Sequence, residues 1–332
     1  MRLHGVIGLK NRIGVIANPS AGKDIRRLAS GGGLFDFQQK VETARRILVG
    51  AYAVGVKEAV LMPDELGISS EAASQAPRGL STVFLDMKVT ATGLDSTRAA
   101  EMMNRETGCI VTIGGDGTNR MVAKGCAETP LLPVSTGTNN MFSYAIDGTV
   151  AGLVAGSLVT GRLRLDKVLS QSKKLAIRTS RGQEDIALID VSTTTKMFTG
   201  AKALVDSSSI QEAVLTRSNA LSVGVSALCS QIKTVGPEDP SGLHVKLGKN
   251  GKKVLAALTP GRVEAINVES CEPIGAGKEI DLSPIDGTVA LDGEREFMVD
   301  AQTQIKVTLN RGGPRIVNLE SLRHDLTPWF RN

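Results

Sequence analysis

CIVTIGGDGT, residues 109–118, decides how the rest of the chain reads. Its first five residues, Cys109, Ile110, Val111, Thr112 and Ile113, are apolar and β-branched and run into glycine, the pattern of a buried strand. Gly114, Gly115 and Gly117 leave the following turn almost bare of side chains, so the backbone can come close to a ligand. Thr118 or Asn119 supplies a cap for a helix predicted over 120–125, whose first N–H groups face the same crevice. Asp116 is the one carboxylate in the turn. Open α/β sheets bind ligands at the carboxyl ends of their parallel strands. An acid in such a loop repels a polyanion unless it has a task, such as accepting a proton from a hydroxyl or holding a metal. The plainer alternative is a tight strand-to-helix turn with a solvated aspartate.

Working outward, residues 12–17, RIGVIA, read as a strand ended by Asn18-Pro19-Ser20-Ala21-Gly22-Lys23. Pro19 and Gly22 force the turn, and Asn18 and Lys23 bring an amide and a cation to it. The loop lacks the G-x-x-x-x-G-K-[ST] spacing of a P-loop. Apolar positions Val41, Ala44, Ile47, Leu48 and Ala51 predict a helix over 38–54. Strands over 56–62 and 82–87 and helices over 63–76 and 96–107 complete the run to residue 109. Strands alternating with helices at this spacing specify a doubly wound parallel sheet. Beyond the glycine turn, a strand over 131–134 ends in Ser135-Thr136-Gly137-Thr138-Asn139-Asn140. The hydroxyls and amides of that loop suit a ribose or a base edge, or equally a helix cap. A helix over 147–161 leads out of the first domain, residues 1–148.

From residue 162 the pattern turns to period-two alternation. Strands are predicted over 173–180, 185–192, 220–227, 243–247, 254–258, 263–268, 279–282, 288–291, 295–299 and 304–309. The pair 243–247 and 254–258 is joined through Asn250-Gly251, the strongest short hairpin signal. Residues 149–310 therefore read as an antiparallel β-sandwich, with 311–332 returning to the first domain, so the fold class is α/β plus β. The Lys- and Arg-rich run 162–181 reads mostly as a wet sheet face. Leu291-Asp292-Gly293-Glu294-Arg295-Glu296 reads on its own residues as a charged hairpin turn in solvent.

Over 332 residues, 41% hydrophobic and 22% charged content is that of a globular chain with room for two cores. Only 3% is aromatic and the net charge is +5, which suits a polyphosphate ligand better than a nucleic-acid track with its stacking rings. The four cysteines, Cys109, Cys126, Cys229 and Cys271, are far apart and lack metal-ligand spacing. They read as buried free thiols of a cytoplasmic protein. The amino-terminal apolar run is too short for a signal peptide, and residues 150–159 make only half a bilayer span. No membrane partner is expected.

GGDGT after an apolar strand resembles the signature of NAD kinases, of diacylglycerol and sphingosine kinases and, with Ser or Thr at its end, of phosphofructokinases. Asn18-Pro19-Ser20-Ala21-Gly22 resembles the N-P-x-[AS]-G loop of the lipid kinases and their NAD-kinase relatives. Pro133, Thr138, Asn139 and Phe142 have counterparts in the lipid kinases' P-x-G-T-x-N-D-F loop, with Asn140 standing where those enzymes have Asp. Asp292-Gly293-Glu294 is similar to the D-G-E that faces the glycine loop in lipid kinases and to the D-G-Q of NAD kinases. Taken over nearly the whole chain, the closest resemblance is to the NAD-kinase-like proteins of acetoin-catabolism operons.

The resemblance implies an ATP-dependent kinase with Mg²⁺ bridging the phosphates and Asp116 orienting or deprotonating the acceptor hydroxyl. Nucleotide and acceptor would lie on Asn18, Pro19, Gly22, Lys23, Gly114, Gly115, Gly117, Thr118, Asn119, Thr136, Gly137, Thr138, Asn139, Asn140, Asp292 and Glu294. NAD, through its 2′-hydroxyl, is the acceptor the resemblance suggests, and a homo-oligomer the assembly. A β-rich second half argues against phosphofructokinase, and scarce aromatics with no amphipathic membrane stripe argue against a lipid acceptor. A nucleotide- or dinucleotide-binding regulatory protein on the same fold is the alternative from a different class.

Overall fold

The computed structural model describes residues 10–19, 36–136, 140–195, 209–221, 223–259 and 261–322. The apolar runs of the first half become strands β1 (Arg12–Ala17), β2 (Glu58–Leu61), β3 (Ser81–Phe84), β4 (Cys109–Gly114) and β5 (Leu131–Ser135). Helices α1 (Phe37–Ala53), α2 (Ile68–Ser74), α3 (Gly93–Met103), α4 (Asp116–Ala123) and α5 (Gly148–Val159) alternate with them, and a short α6 (Leu165–Val168) follows. The remaining strands are β6 (Leu169–Gln171), β7 (Lys174–Thr179), β8 (Glu184–Ala187), β9 (Asp190–Thr194), β10 (Ile210–Leu215), β11 (Ser241–Thr259) and β12 (Arg262–Gly275), then β13 (Glu279–Leu282), β14 (Gly287–Leu291), β15 (Glu294–Val299), β16 (Ile305–Asn310) and β17 (Arg315–Val317).

The first sheet runs β3-β2-β1-β4-β5-β17-β6, with β1 to β5 all parallel. β4 is buried along its whole length, which is why its sequence shows no alternation. From β1 the chain winds outward to β2 and β3, then returns to the other side of β1 as β4 and β5. The order thus reverses between β1 and β4, and their carboxyl ends open a crevice there. One face of the sheet is covered by α1 and α5 through Val41, Ile47, Leu48, Val154 and Leu158. The α1–α5 contact is backbone to backbone: a Cβ on Gly152 would lie 2.1 Å from the Ile47 carbonyl oxygen. α1 starts at a capping box, Asp36 accepting from the Gln39 N–H at 2.8 Å while Gln39 accepts from the Asp36 N–H at 3.1 Å. On the other face lie Ala99, Ala100, Met103 and Val122, joined in one core with Leu188 and Ile189 of the second half. α4 is therefore held between the first sheet and the β-rich half of the chain.

Two antiparallel sheets make up the second half, one ordered β12-β11-β10-β9-β14-β15 and one β13-β16-β7-β8. Leu175, Ile177, Val191, Val214, Val289, Leu291, Val307 and Leu309 fill the space between them, the core of a β-sandwich.

The structure corrects four expectations. Asn250-Gly251 does not turn a hairpin. Leu247 and Lys252 both lie opposite Val268, so the residues between them bulge out of one long strand paired with β12. The bulge changes the parity of the alternation, and Leu243 and Val245 before it share the buried state of Val254, Ala256 and Leu258 after it. Residues 220–227 are not a strand: Asn219 caps the Leu221 N–H at 2.9 Å, and a short 3-10 turn covers Val225–Ala227. The strand of this region is β10. Cys229 and Cys271 form a disulfide, 42 residues apart in sequence and 6.4 Å apart at Cα, because the segment after the 3-10 turn folds back over the large sheet. Cys109 and Cys126 are buried free thiols, both pushed up to about 12 by burial. Lys173, finally, is buried, its ammonium donating to the Gly236 and Ser241 carbonyls at 2.9 and 2.7 Å.

Candidate active site at the strand switch point

β1 and β4 end side by side, and their loops are tied together. The Asn18 N–H donates to the Ile113 carbonyl at 3.3 Å, and its side-chain amide donates to the Thr118 hydroxyl at 2.9 Å. Beside it, the buried ammonium of Lys40 donates to the Pro19 carbonyl at 2.5 Å. Gly22, Lys23, Gly137, Thr138 and Asn139 lie outside the described residues.

The helix begins earlier than its side chains suggest. Gly115 is the N-cap and Asp116 the first helical residue, so Asp116, Gly117 and Thr118 form the first turn and neither Thr118 nor Asn119 caps it. Asn119 instead braces the turn from inside. It has no exposure, accepts from the Thr112 hydroxyl at 2.5 Å, and donates to the Gly115 carbonyl at 2.9 Å and the Ser143 hydroxyl at 2.8 Å.

The bare backbone of the turn is closely overlooked. A Cβ on Gly114 would lie 2.5 Å from that of Thr118, one on Gly115 would lie 2.9 Å from Asn140 Oδ1, and one on Gly117 2.9 Å from Glu294 Oε1. Asn140 itself donates to the Ser135 hydroxyl at 2.7 Å, and Thr136 next to it is buried. At Gly114 the Thr118 side chain leaves no room for a Cβ, whereas at Gly115 and Gly117 only the ends of flexible side chains stand in the way.

Asp116 is half-buried, and both its oxygens are engaged. Oδ2 accepts from the Met141 N–H at 2.8 Å and Oδ1 from the Phe142 N–H at 2.9 Å. Burial raises its pKa, against which the two amides and the nearby Arg217 guanidinium act.

The Asp292-Gly293 turn joins β14 to β15 with φ of +51° and +78°, the left-handed pair of a tight hairpin. It is not out in solvent. Asp292 is buried and accepts from the backbone N–H groups of Leu188, Ile189 and Asp190 at 3.0, 2.8 and 3.3 Å. Burial pushes its carboxyl up to about 7, against the pull of Arg120 and the amides. Arg120, on α4, reaches Glu296 at 2.6 Å, Asp185 at 3.1 Å, Asp292 at 3.8 Å and Glu294 at 3.9 Å, and Lys124 meets Asp185 at 2.6 Å. One buried guanidinium thus fastens the glycine-loop helix to the second half and draws the D-G-E hairpin over it.

The structure brings Asn18, Pro19, Gly114, Gly115, Asp116, Gly117, Thr118, Asn119, Asn140 and Glu294 to the crevice and sets Asp292 just behind it. Arg120, Ser143 and Arg217 stand against these residues and are not singled out by the sequence. The charge run Asp292, Glu294, Glu296 facing an otherwise isolated helical arginine is the available signal for Arg120; nothing local marks Arg217.

Residues 13–162 match the model of the ATP-NAD kinase N-terminal domain, and residues 173–312 that of the acetoin catabolism protein X C-terminal domain. The acetoin catabolism protein X of Cupriavidus necator is 31% identical over 328 residues, covering 94% of this chain and 91% of that protein. Among solved structures, a diacylglycerol kinase from Bacillus anthracis str. Sterne is similar at 13% identity and a TM-score of 0.49, covering 93% of this chain and 97% of that one. A putative diacylglycerol kinase from the same organism is similar at 14% identity and a TM-score of 0.46, covering 93% and 98%.

Proposed function

This chain belongs to the acetoin catabolism protein X family, and from that premise we propose that it is a phosphotransferase moving the γ-phosphoryl of ATP onto an alcohol in the crevice between the parallel sheet and the sandwich. The observation carrying this reading is the placing of Asp116. It sits in the first turn of the helix that leaves a buried strand at the switch point, held by the Met141 and Phe142 amides at 2.8 and 2.9 Å. Each oxygen keeps a lone pair beyond its amide, so the carboxylate can be aimed and still accept a proton from the acceptor hydroxyl. The phosphates would lie along Gly114, Gly115 and Gly117, beside Asn18, Pro19, Gly22 and Lys23, where amides at the helix start favour an anion. The loop from Thr136 through Gly137, Thr138 and Asn139 to Asn140 would meet the sugar or base.

Mg²⁺ fits this donor set as an ion that arrives with the nucleotide. No three acidic, His or Cys groups among the described residues are grouped to hold a metal, while Glu294 offers hard oxygens beside Gly117. When bound, the ion would neutralise charge on the phosphates. NAD is the acceptor we favour, through its 2′-hydroxyl, with the protein acting in the cytoplasm as a homo-oligomer and on small molecules rather than nucleic acid or membrane. No helix among the described residues is long and apolar enough to cross a bilayer.

A second reading, a nucleotide-binding protein without chemistry, is favoured by the same grip on Asp116, since an acid that caps two amides already has a structural task. Incubation with labelled ATP and Mg²⁺ against NAD, NADH, diols and sugars separates the two. Transfer to any acceptor supports the first; tight nucleotide or dinucleotide binding with no transfer supports the second; absence of both removes both.

A further inference from the structure

Arg217 follows β10 and belongs to none of the motifs above. It is 6% exposed, and its Nη1 donates to the Met141 carbonyl at 3.0 Å. Its guanidinium lies over the Phe142 ring, 5.6 Å from the centroid. Nε and Nη2, the two donors of its side-on fork, are buried without a hydrogen-bond partner, and it forms no ion pair among the described residues. A dry, unpaired guanidinium is costly to keep.

What it faces gives that cost a use. Met141 and Phe142 are the two residues whose N–H groups grip Asp116. The dipeptide is therefore held from both sides, by a cation at its carbonyl and by a carboxylate at its amides. The two charges oppose one another without touching, and Asp116 is the foremost of the charges that bear on Arg217. From Asp116's side, Arg217 is the one charge that works with the amides against burial. The other charged or titratable groups around the pair are Asp292 from the β14–β15 turn, itself partly neutralised by Arg120, Glu294 over Gly117, Tyr144 and Glu238, and the buried ammonium of Lys173, which Arg217 repels.

We propose that Arg217 is a positioning residue for Asp116: it fixes the Met141–Phe142 peptide that aims the carboxylate, and its uncompensated charge keeps that carboxylate ionised to accept the acceptor's proton. The use of Asp116 as a proton acceptor rests on the phosphotransferase reading, but the electrostatic claim is measurable without any turnover.

The test is carbon-13 NMR titration of the aspartate carboxyls in the full chain, with the Asp116 signal identified as the one lost in Asp116→Asn. Arg217→Gln removes the charge but keeps a donor for the Met141 carbonyl, and Arg217→Lys keeps the charge. The Asp116 midpoint should rise by about one pH unit or more in Arg217→Gln, as expected for loss of a close opposite charge, and stay near wild type in Arg217→Lys. Arg217→Met serves the same purpose if the glutamine is not tolerated in the dry seam. With an acceptor in hand, the acidic limb of kcat/KM should move up by the same amount while ATP affinity is unchanged. An Asp116 midpoint that stays put in a folded, charge-free variant, or that moves as far in the lysine variant, would overturn the proposal. A moved midpoint with no transfer to any acceptor would leave it standing and count against the phosphotransferase reading alone.

Discussion

The side-chain amide of Asn119, fully buried, links β4 through Thr112, the glycine turn through the Gly115 carbonyl, and the 141–143 segment through Ser143. Removing it leaves buried polar partners unmade, each costing about 1–3 kcal/mol. Asn119→Ala should therefore lose about 3 kcal/mol in urea unfolding, and a loss within error would deny the brace. Gly115 has the opposite character. Its φ of −92° suits any residue, and only the far end of the Asn140 side chain stands in the way of a Cβ, at 2.9 Å. Gly115→Val should fold normally yet lose the stabilisation by ATP, about 2.7 kcal/mol at a hundredfold excess over its dissociation constant. Scanning calorimetry with and without MgATP reads this directly, and a full shift in the variant would put the phosphates elsewhere. Asn18, Gly115, Gly117 and Asp116 are legible in the sequence because turn chemistry is local: glycine and proline fix the backbone, and one acid in a bare loop stands out. Arg217 and Ser143 are not, because their meaning comes from residues brought beside them only by the completed fold.

At the scale of elements, the parallel half is legible because each strand and helix carries its own apolar period and its own boundary residues. The failures are equally physical. Asn250-Gly251 has the composition of a hairpin turn, yet β12 is long enough to pair with both flanking segments, and a bulge satisfies the ladder where a turn would not. The true start of α4 is hidden because Gly115 takes the N-cap position with no side chain to announce it. The β14–β15 hairpin, whose own residues suit solvent, is drawn in by Arg120 and by the backbone amides of 188–190. This gives a pH signature. An acid raised to about 7 in the native protein, from about 3.9 unfolded, binds its proton more tightly when folded. Its contribution is complete below the unfolded value and is lost as pH rises through the folded one. The difference in unfolding free energy between wild type and Asp292→Asn should thus move against the wild type between about pH 5 and about pH 7, then level off. A difference that stays flat over that range would mean that Asp292 is ionised beside Arg120 throughout.

For the molecule as a whole, the chain's last described strand, β17, lies in the first sheet between β5 and β6, so the chain crosses from one half to the other and back. With Arg120 and its carboxylates fastening α4 to the sandwich, the crevice is built by both halves together. On the proposed function, this crevice transfers a phosphoryl group with Asp116 as proton acceptor. The most direct test is a paired measurement of ATP affinity and transfer rate on Asp116→Asn, using whichever acceptor the screen supplies. The amide fills the same space and can still accept from one of the two backbone N–H groups, so the fold should survive. Affinity should be equal or slightly higher, since a negative charge beside the phosphates is gone. The transfer rate should fall by about 10²–10⁴-fold, the range of a lost general base. Undiminished transfer by a folded Asp116→Asn protein would make this carboxylate a bystander to the chemistry.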